Sequence, residues 1–438
     1  MSYCDIAGVV VTVFPPIEPR PINDAPAPPG FTGAYLMAHF GKSLFWHAGE
    51  ILFAYFLTEA CGLSADRMGW VLAISLIVSA LSDIVVGRVL TRRVRDTAQA
   101  SRMQFLGAAG STAAFLAFAG VGLLDSAWRT PAALVCLVAF RLVYSLYDVP
   151  QNAILAFETH TERQRARLSA WRFVASGLAN LAIAAAFAPL LQGQGQKATA
   201  EHFEGLSAAL ASVALLSAVG LLALGRRRAA GIAPTAPQAA SRGTITAVLW
   251  PLMAASLVFS LGTSVFSRLE PYFASFALVS RLNSAGLMIC VSLGTLLSQP
   301  VWALITERTS LRRAQMGASV ILVAGAVLFF AVGRQGGIGA GGSGFLYGFG
   351  SGGVMMILWA QLAQACAARP DTTTQTFGLF TFFSKAGLAV SALGLGWAMH
   401  GFDYRNEVVP VAALMTFVPV VAVLLCQLLL TVKQGLQR

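Results

Sequence analysis

Apolar runs long enough to cross a bilayer recur along nearly the whole chain. A helix rises about 1.5 Å per residue, so a hydrocarbon core of about 30 Å needs about 20 apolar residues, with every backbone polar group bonded inside the segment. Twelve such runs are read, at residues 35–61, 67–91, 103–124, 130–157, 168–191, 205–225, 246–278, 284–305, 314–332, 343–366, 374–399 and 407–432. Only 11% of residues are charged. Soluble domains carry roughly a quarter, so there is too little charge to cover a large water-facing surface. An all-α membrane protein is expected.

The formal net charge of +11 would by itself suit a nucleic-acid partner, but its placement says otherwise. If the first helix runs outward, the even-numbered loops hold Arg92, Arg93, Arg95 and Arg102; Arg163, Arg165 and Arg167; Arg226, Arg227, Arg228 and Arg242; Arg308, Arg312 and Arg313; and Arg369. The odd-numbered loops hold one basic residue each: Arg67, Arg129, Lys197, Arg281, Arg334 and Arg405. That bias predicts a multi-pass protein of the cell (inner) membrane with both termini cytoplasmic. The expected partners are the lipid bilayer and a small-molecule substrate, with no nucleic acid, and the chain is expected to be a monomer. Residues 1–33 contain a short apolar run, Val9 to Phe14, then a Pro-rich stretch. No basic region precedes the run and no small-residue cleavage site follows it, so this segment reads as a disordered cytoplasmic tail rather than a signal peptide. Cys61, Cys136, Cys290, Cys366 and Cys426 lie in or at the ends of apolar runs without metal-ligand spacing, and read as inert buried thiols.

One long charged break interrupts the pattern. Arg226, Arg227 and Arg228 lead into a stretch containing Pro234 and Pro237, which reads as a cytoplasmic linker over 229–245. Six helices at 34–228 precede it, and six at 246–438 follow. The second and eighth runs end alike: Ser82-Asp83-Ile84-Val85 leads to Arg92-Arg93, and Ser298-Gln299-Pro300-Val301 leads to Glu307-Arg308. Such an echo is what duplicated bundles leave in a sequence. The expected architecture is twelve transmembrane helices in two six-helix bundles facing a central cavity, the major facilitator fold. The glycines from Gly336 to Gly353 in the tenth run predict close helix packing.

Ionisable groups inside the membrane are costly and mark partners or wet cavities. The first run holds His47 and Glu50, the second Asp83, the fifth Arg172, the seventh Arg268 and Glu270, and the eleventh Lys385. The fourth holds Arg141, Tyr144, Asp148 and Asn152, whose spacing places them on one helix face. Static ion pairs or a polar cavity would both use such residues; the alternating cation, phenol and carboxylate of the fourth run favours the cavity. Trp46, Trp171, Phe173 and Trp359 offer flat surfaces for a sugar or acyl chain. Glu50 and Arg141 each lie seven residues, about two turns or 10 Å, outward of Ser43 and Asp148, two positions that a family resemblance implies reach one ligand at similar depth, so they are expected to pair across helices. No zinc-binding HExxH, phosphate-binding glycine loop or CxxC occurs, so no enzymatic activity and no cofactor is expected.

Tyr144 to Pro150, then Glu162-Arg163 and Trp171-Arg172-Phe173, resemble the glycoside–pentoside–hexuronide symporter family. Ser82 to Gly87 with Arg92-Arg93, Phe40-Gly41-Lys42, and Thr381 to Lys385 resemble further motifs of that family in the same order. The resemblance implies that Tyr144, Asp148 and Arg172 hold a sugar, that Lys385 links the cation and sugar sites, and that Asp83 binds a coupling cation. Ser43 stands where the family has a sugar-binding aspartate, Ser79 replaces a second cation-site carboxylate, and Asn152 replaces a stacking tryptophan. Asp83 with Ser79, Ser82 and Ser145 is a poor cage for an alkali cation, whereas one carboxylate suffices to carry a proton. Symport of a glycoside or related small polar solute, coupled to a proton rather than to sodium, is the expected function. Substrate contacts are expected from Tyr144, Asp148, Asn152, Arg172, Lys385, Glu50 and Arg141. A carrier of a lysolipid or other amphiphile, or a non-transporting assembly or delivery factor of the same fold, are the alternatives.

Overall fold

A computed structural model describes residues 30–94, 96–159, 162–187, 195–227, 249–278, 281–367 and 373–435. Among these described residues, twelve long helices follow the twelve apolar runs: α1 (Phe31–Ile51), α2 (Ala65–Arg93), α3 (Thr97–Ala119), α4 (Ser126–Glu158), α5 (Glu162–Phe187), α6 (Gln196–Arg226), α7 (Trp250–Phe276), α8 (Arg281–Arg308), α9 (Leu311–Ala331), α10 (Gly337–Ala367), α11 (Thr373–His400) and α12 (Val408–Gly435). Eleven of them are long and apolar enough to span a membrane by composition alone. The exception, α1, carries His39, Lys42, His47 and Glu50 on one short helix. It begins at Phe31, slightly ahead of the expected bundle start. The expected tail up to residue 29 and the expected linker at 229–245 lie outside the described residues.

Two differences from the apolar runs have local causes. Several helices outlast their apolar stretch: α5 begins at Glu162, so the expected Glu-Arg loop is its first turn, and α6 begins at Gln196. Charged, helix-forming ends extend past the membrane because water can solvate them. The first run is not one regular α-helix. It loosens at Leu52, which keeps right-handed helical angles and the bonds from its N–H to Ala48 and from Phe56 to its carbonyl, and it ends in a π-helical turn, Phe56–Ala60.

The packing repeats between the halves. In the first, α3 packs on α4 and α6, α2 on α4, and α1 on α5 and α6; in the second, α9 packs on α10 and α12, α8 on α10, and α7 on α11 and α12. Adding six to each label of the first half gives the second. Between the halves, α2 packs on α11 and α5 on α8, which the same operation interchanges, and α1 meets α7. The glycines of α10 serve this packing: a Cβ at Gly348 would fall on the backbone carbonyl of Val291, and one at Gly350 on the backbone of Leu322. In α4, Pro150 supplies no N–H to the Leu146 carbonyl, and Gly107 of α3 lets backbone approach that same carbonyl.

Candidate functional site

The polar residues of the apolar helices meet between the bundles in two clusters and one bridge. The first cluster is built on α1, α4 and α5. Lys42 Nζ donates to Asp148 Oδ1 at 2.6 Å and to Asn152 Oδ1 at 3.1 Å. Asn152 Nδ2 donates to Asp148 at 3.1 Å, and Arg172 donates to the Asn152 carbonyl oxygen. Asn152 therefore ties the lysine, the carboxylate and the arginine into one hydrogen-bond network. The Tyr144 hydroxyl donates to the Lys42 carbonyl at 3.3 Å, and its ring is buried against Phe140 and Tyr147, with Trp46 stacked 6.5 Å away. Lys42 is almost fully buried, whereas the Asp148 side chain retains 28% exposure. The carboxylate is thus held by a buried cation and still open to a ligand. Ser43 donates into its own helix, to the His39 carbonyl, and takes no part.

The second cluster joins α2, α4 and α11. Lys385 crosses from the second bundle to pair with Asp83 and to donate to Ser79 Oγ at 2.9 Å. Ser145 donates to the other Asp83 oxygen at 2.6 Å, and Ser82 lies 2.7 Å from Ser145. The four expected coupling residues are therefore contiguous. Ser82 also donates to the Ser79 carbonyl, as Ser298 does to Thr295 in the repeated half, but Gln299 at the position of Asp83 bonds within its own bundle. Lys385 lies 5.8 Å from the Trp46 ring centre, which places the two clusters side by side.

The bridge lies further from the arginine-rich loops. Glu50 Oε1 is 3.7 Å from Arg141 Nη2, the expected cross-helix pair, and Glu50 Oε2 accepts from Arg268 Nη2 of the second bundle at 3.3 Å. Arg268 also donates to the Leu388 carbonyl at 2.9 Å. The Arg141 guanidinium lies about 6 Å from the rings of Trp46, Phe53 and Phe140, a setting that favours a cation. Gly49 makes room for it, since a Cβ there would come within 3.1 Å of Arg141 Nη2. Glu270, two residues from Arg268, points instead into the second bundle and is buried, its Oε1 without a hydrogen-bond partner.

Beyond the bridge the bundles are sealed at the end opposite the arginine-rich loops. Thr58 Oγ1 lies 2.8 Å from the Tyr272 hydroxyl, Ser275 donates to the Tyr55 oxygen at 2.9 Å, and Glu59 accepts from Tyr404 at 2.8 Å and from Arg405 at 3.1 Å. All three first-bundle partners come from the irregular segment that follows α1.

Lys42 and the pairing of Arg268 with Glu50 escaped the sequence reading. Lys42 carries the same signal as Lys385, a lone ammonium within an apolar run, and that signal was sufficient. The contact of Arg268 across bundles is a tertiary fact with no local mark.

Matched six-helix bundles with buried charge between them define a membrane transporter of the major facilitator type. The chain belongs to the MFS/sugar transport protein family, whose pattern covers residues 34–432. It is 27% identical over 146 residues to the putative glycoside/cation symporter YagG of Escherichia coli (strain K12), a match spanning 33% of this chain and 32% of that protein. Solved structures share the fold at low identity. The peptide transporter POT in complex with sulfate is 17% identical at a TM-score of 0.67, covering 93% of this chain and 95% of its own. The nucleoside transporter NupG is 12% identical at 0.65, covering 91% and 99%.

Proposed function

We propose that this protein is a proton-coupled symporter of a glycoside or related small polar solute, working by alternating access in the cell (inner) membrane with its arginine-rich face cytoplasmic. The observation that carries the reading is the adjacency of the two clusters. Asp148, Asn152, Arg172 and Lys42 present a carboxylate, an amide and two cations, with the partly buried Trp46 as a ring face: the hydrogen-bonding and stacking groups a sugar needs. Arg172 Nε is buried without a hydrogen-bond partner and supplies a donor for a ligand.

Coupling follows from Asp83. Ionised, it holds Lys385 across the bundle interface. Protonated, it loses most of its attraction for the ammonium, and the tether between α2 and α11 is released. A proton thus alters how firmly the bundles adhere beside the solute site. Sodium is the weaker candidate, because the hydroxyls of Ser79, Ser82 and Ser145 supply no second negative charge. The partly exposed Asp148 favours transport over a delivery role, which needs no accessible charge in the interior. Uptake into proteoliposomes, with a proton or a sodium gradient imposed separately, tests the reading. Accumulation of labelled methyl glycosides driven by the proton gradient is expected; absence of accumulation with either gradient would overturn it.

A further inference from the structure

Glu270 is a buried carboxyl that neither cluster, nor the bridge, nor the seal uses. It is 3% exposed, its Oε1 has no hydrogen-bond partner, and it forms no ion pair among the described residues. The cations of the neighbouring elements are engaged elsewhere: Arg268 of its own helix with Glu50 of α1, Lys385 of α11 with Asp83, and Arg405 of the α11–α12 loop with Glu59. Arg334, in the turn before α10, lies over the Phe330 ring. Residues 320–331 of α9 and 408–420 of α12, the halves toward the seal, include no ionisable side chain, and α8 brings Cys290. Tyr347 of α10 shares the surroundings of Glu270: its hydroxyl is also buried without a partner, and its ring stacks at 3.8 Å on Phe266, one turn from Glu270 on α7.

The first bundle shows what a balanced version of this place contains. Tyr147 corresponds to Tyr347, since a Cβ at Gly107 falls on the backbone nitrogen of the one and a Cβ at Gly325 on that of the other. Phe45 packs on Tyr147 as Phe266 packs on Tyr347. Four residues beyond the phenylalanines, Gly49 corresponds to Glu270; six residues before the tyrosines, Arg141 corresponds to Gly341. The first bundle thus sets a guanidinium against a glycine and balances it with Glu50, whereas the second pairs a carboxyl position with a glycine and brings no described cation. An ionised carboxylate so placed lacks both counter-charge and donors, and only the neutral acid is cheap to bury.

We propose that Glu270 is a second proton-binding group, neutral while the outer seal is closed and ionised when the sealed end of α7 swings into water. The proposal rests on the carrier reading above, which makes this face the outer one. Glu270 lies two residues, about 3 Å along the axis, from Arg268 of the bridge and from Tyr272 of the seal. One short stretch of α7 therefore carries bridge, carboxyl and seal together. Pro271 follows and supplies no N–H to the Ser267 carbonyl, so α7 is weakest here and residues 272–276 have a point to swing about. Opening hydrates Glu270; its O–H bond breaks and the proton passes to external water. Before closure an O–H bond re-forms with a proton from the same water. Exchange takes place on the outer side of the bridge, so Glu270 moves no proton across the membrane and the driving step stays with Asp83. Its role is to let the carrier close where external protons are plentiful enough to load Asp83 as well.

Spin labels at Leu124→Cys and Val332→Cys, exposed at the sealed ends of the two bundles, read the gate in the full chain in nanodiscs, with native cysteines replaced by serine. Asp83→Asn is present throughout, so the coupling carboxylate adds no pH dependence. Only the open state hydrates Glu270, so a higher pH favours opening. Raising the pH from about 5 to about 8 should increase the ratio of open to sealed distances at least about tenfold, the change that one linked proton gives per pH unit. Glu270→Gln copies the neutral acid and should hold the ratio near its acid value, with less than about twofold change over that range. Glu270→Asp should restore the response. Independently of any motion, the infrared band of a protonated carboxyl should be present at about pH 7 and absent in Glu270→Gln. A response below about twofold with Glu270 intact, a response that survives Glu270→Gln, or absence of the band overturns the proposal. Uptake is not read here, so each of those failures leaves the carrier reading standing.

Discussion

At the scale of single residues, the site depends on charges that hold one another in place. Lys42 is the least replaceable, because it is the closest counter-charge to Asp148 and also supports Asn152. Lys42→Met should weaken glycoside binding by about 2 kcal/mol, roughly thirtyfold, a value below the range for fully buried pairs because Asp148 is partly exposed. Lys42→Arg should recover part of it, and titration of both variants checks the order. The bridge answers differently. Exchanging the members of an isolated pair usually restores it, but Glu50→Arg with Arg141→Glu would set an arginine against Arg268. The double exchange is therefore expected to remain as unstable as the worse single variant, as read by melting temperature. Recovery to the wild-type value would show that Arg268 contributes nothing to the bridge. The sequence carried the Glu50–Arg141 pairing, because seven residues from each of two facing positions gives both depth and face. It could not carry Arg268, whose partner lies in the other bundle 218 residues away.

Among the elements, α1 combines the most roles. Its middle supplies Lys42 and Trp46, its last regular turn supplies Glu50, and the irregular segment beyond Leu52 supplies every first-bundle partner of the seal. Hydrophobic runs marked where each helix crosses the membrane, because that pattern is imposed by lipid and needs no tertiary context. The π-helical turn at Phe56–Ala60 was not legible: the stretch holds no proline or glycine, and its shape serves contacts with α7 and the α11–α12 loop. Such turns re-aim side chains at functional places. Here one turns Thr58 and Glu59 toward the second bundle while Tyr55, just before it, meets Ser275. Removing two of these bonds with Tyr55→Phe and Thr58→Val should cost the sealed arrangement about 1 kcal/mol each, a shift of roughly thirtyfold for the pair. Spin labels on α1 and α7 at the sealed end should show the longer inter-bundle distance gaining population. An unchanged distance distribution would assign the seal to packing and to the Glu59 bonds with Tyr404 and Arg405.

For the whole molecule, the repeat explains where the two halves are allowed to differ. Helix packing is reproduced when every label is advanced by six, and the serine bonds at Ser82 and Ser298 are reproduced with it. The carboxylate is not: Asp83 faces the interface, while Gln299 bonds to Gly352 within its own bundle. One bundle thus carries the ionisable group and the other carries its counter-charge, Lys385. On the proposed coupling, the charge on this one side chain alters how firmly the two halves adhere, and this reading makes a sharp prediction. Asp83→Asn mimics the protonated carboxyl permanently, so Lys385 keeps only neutral partners such as Ser79 and a proton gradient has no carboxyl here to act on. Solute exchange between equal pools should continue, because it needs only that the bundles alternate, whereas accumulation driven by a proton gradient should vanish. Ser79→Asp tests the complementary point. A second carboxylate beside Asp83 restores the anionic oxygen that an alkali cation lacks here, so sodium should begin to stimulate uptake in a protein otherwise indifferent to it. Strong sodium stimulation of the wild type at constant pH would instead show that one carboxylate and three hydroxyls suffice, and that Asp83 works as a metal ligand rather than a proton carrier.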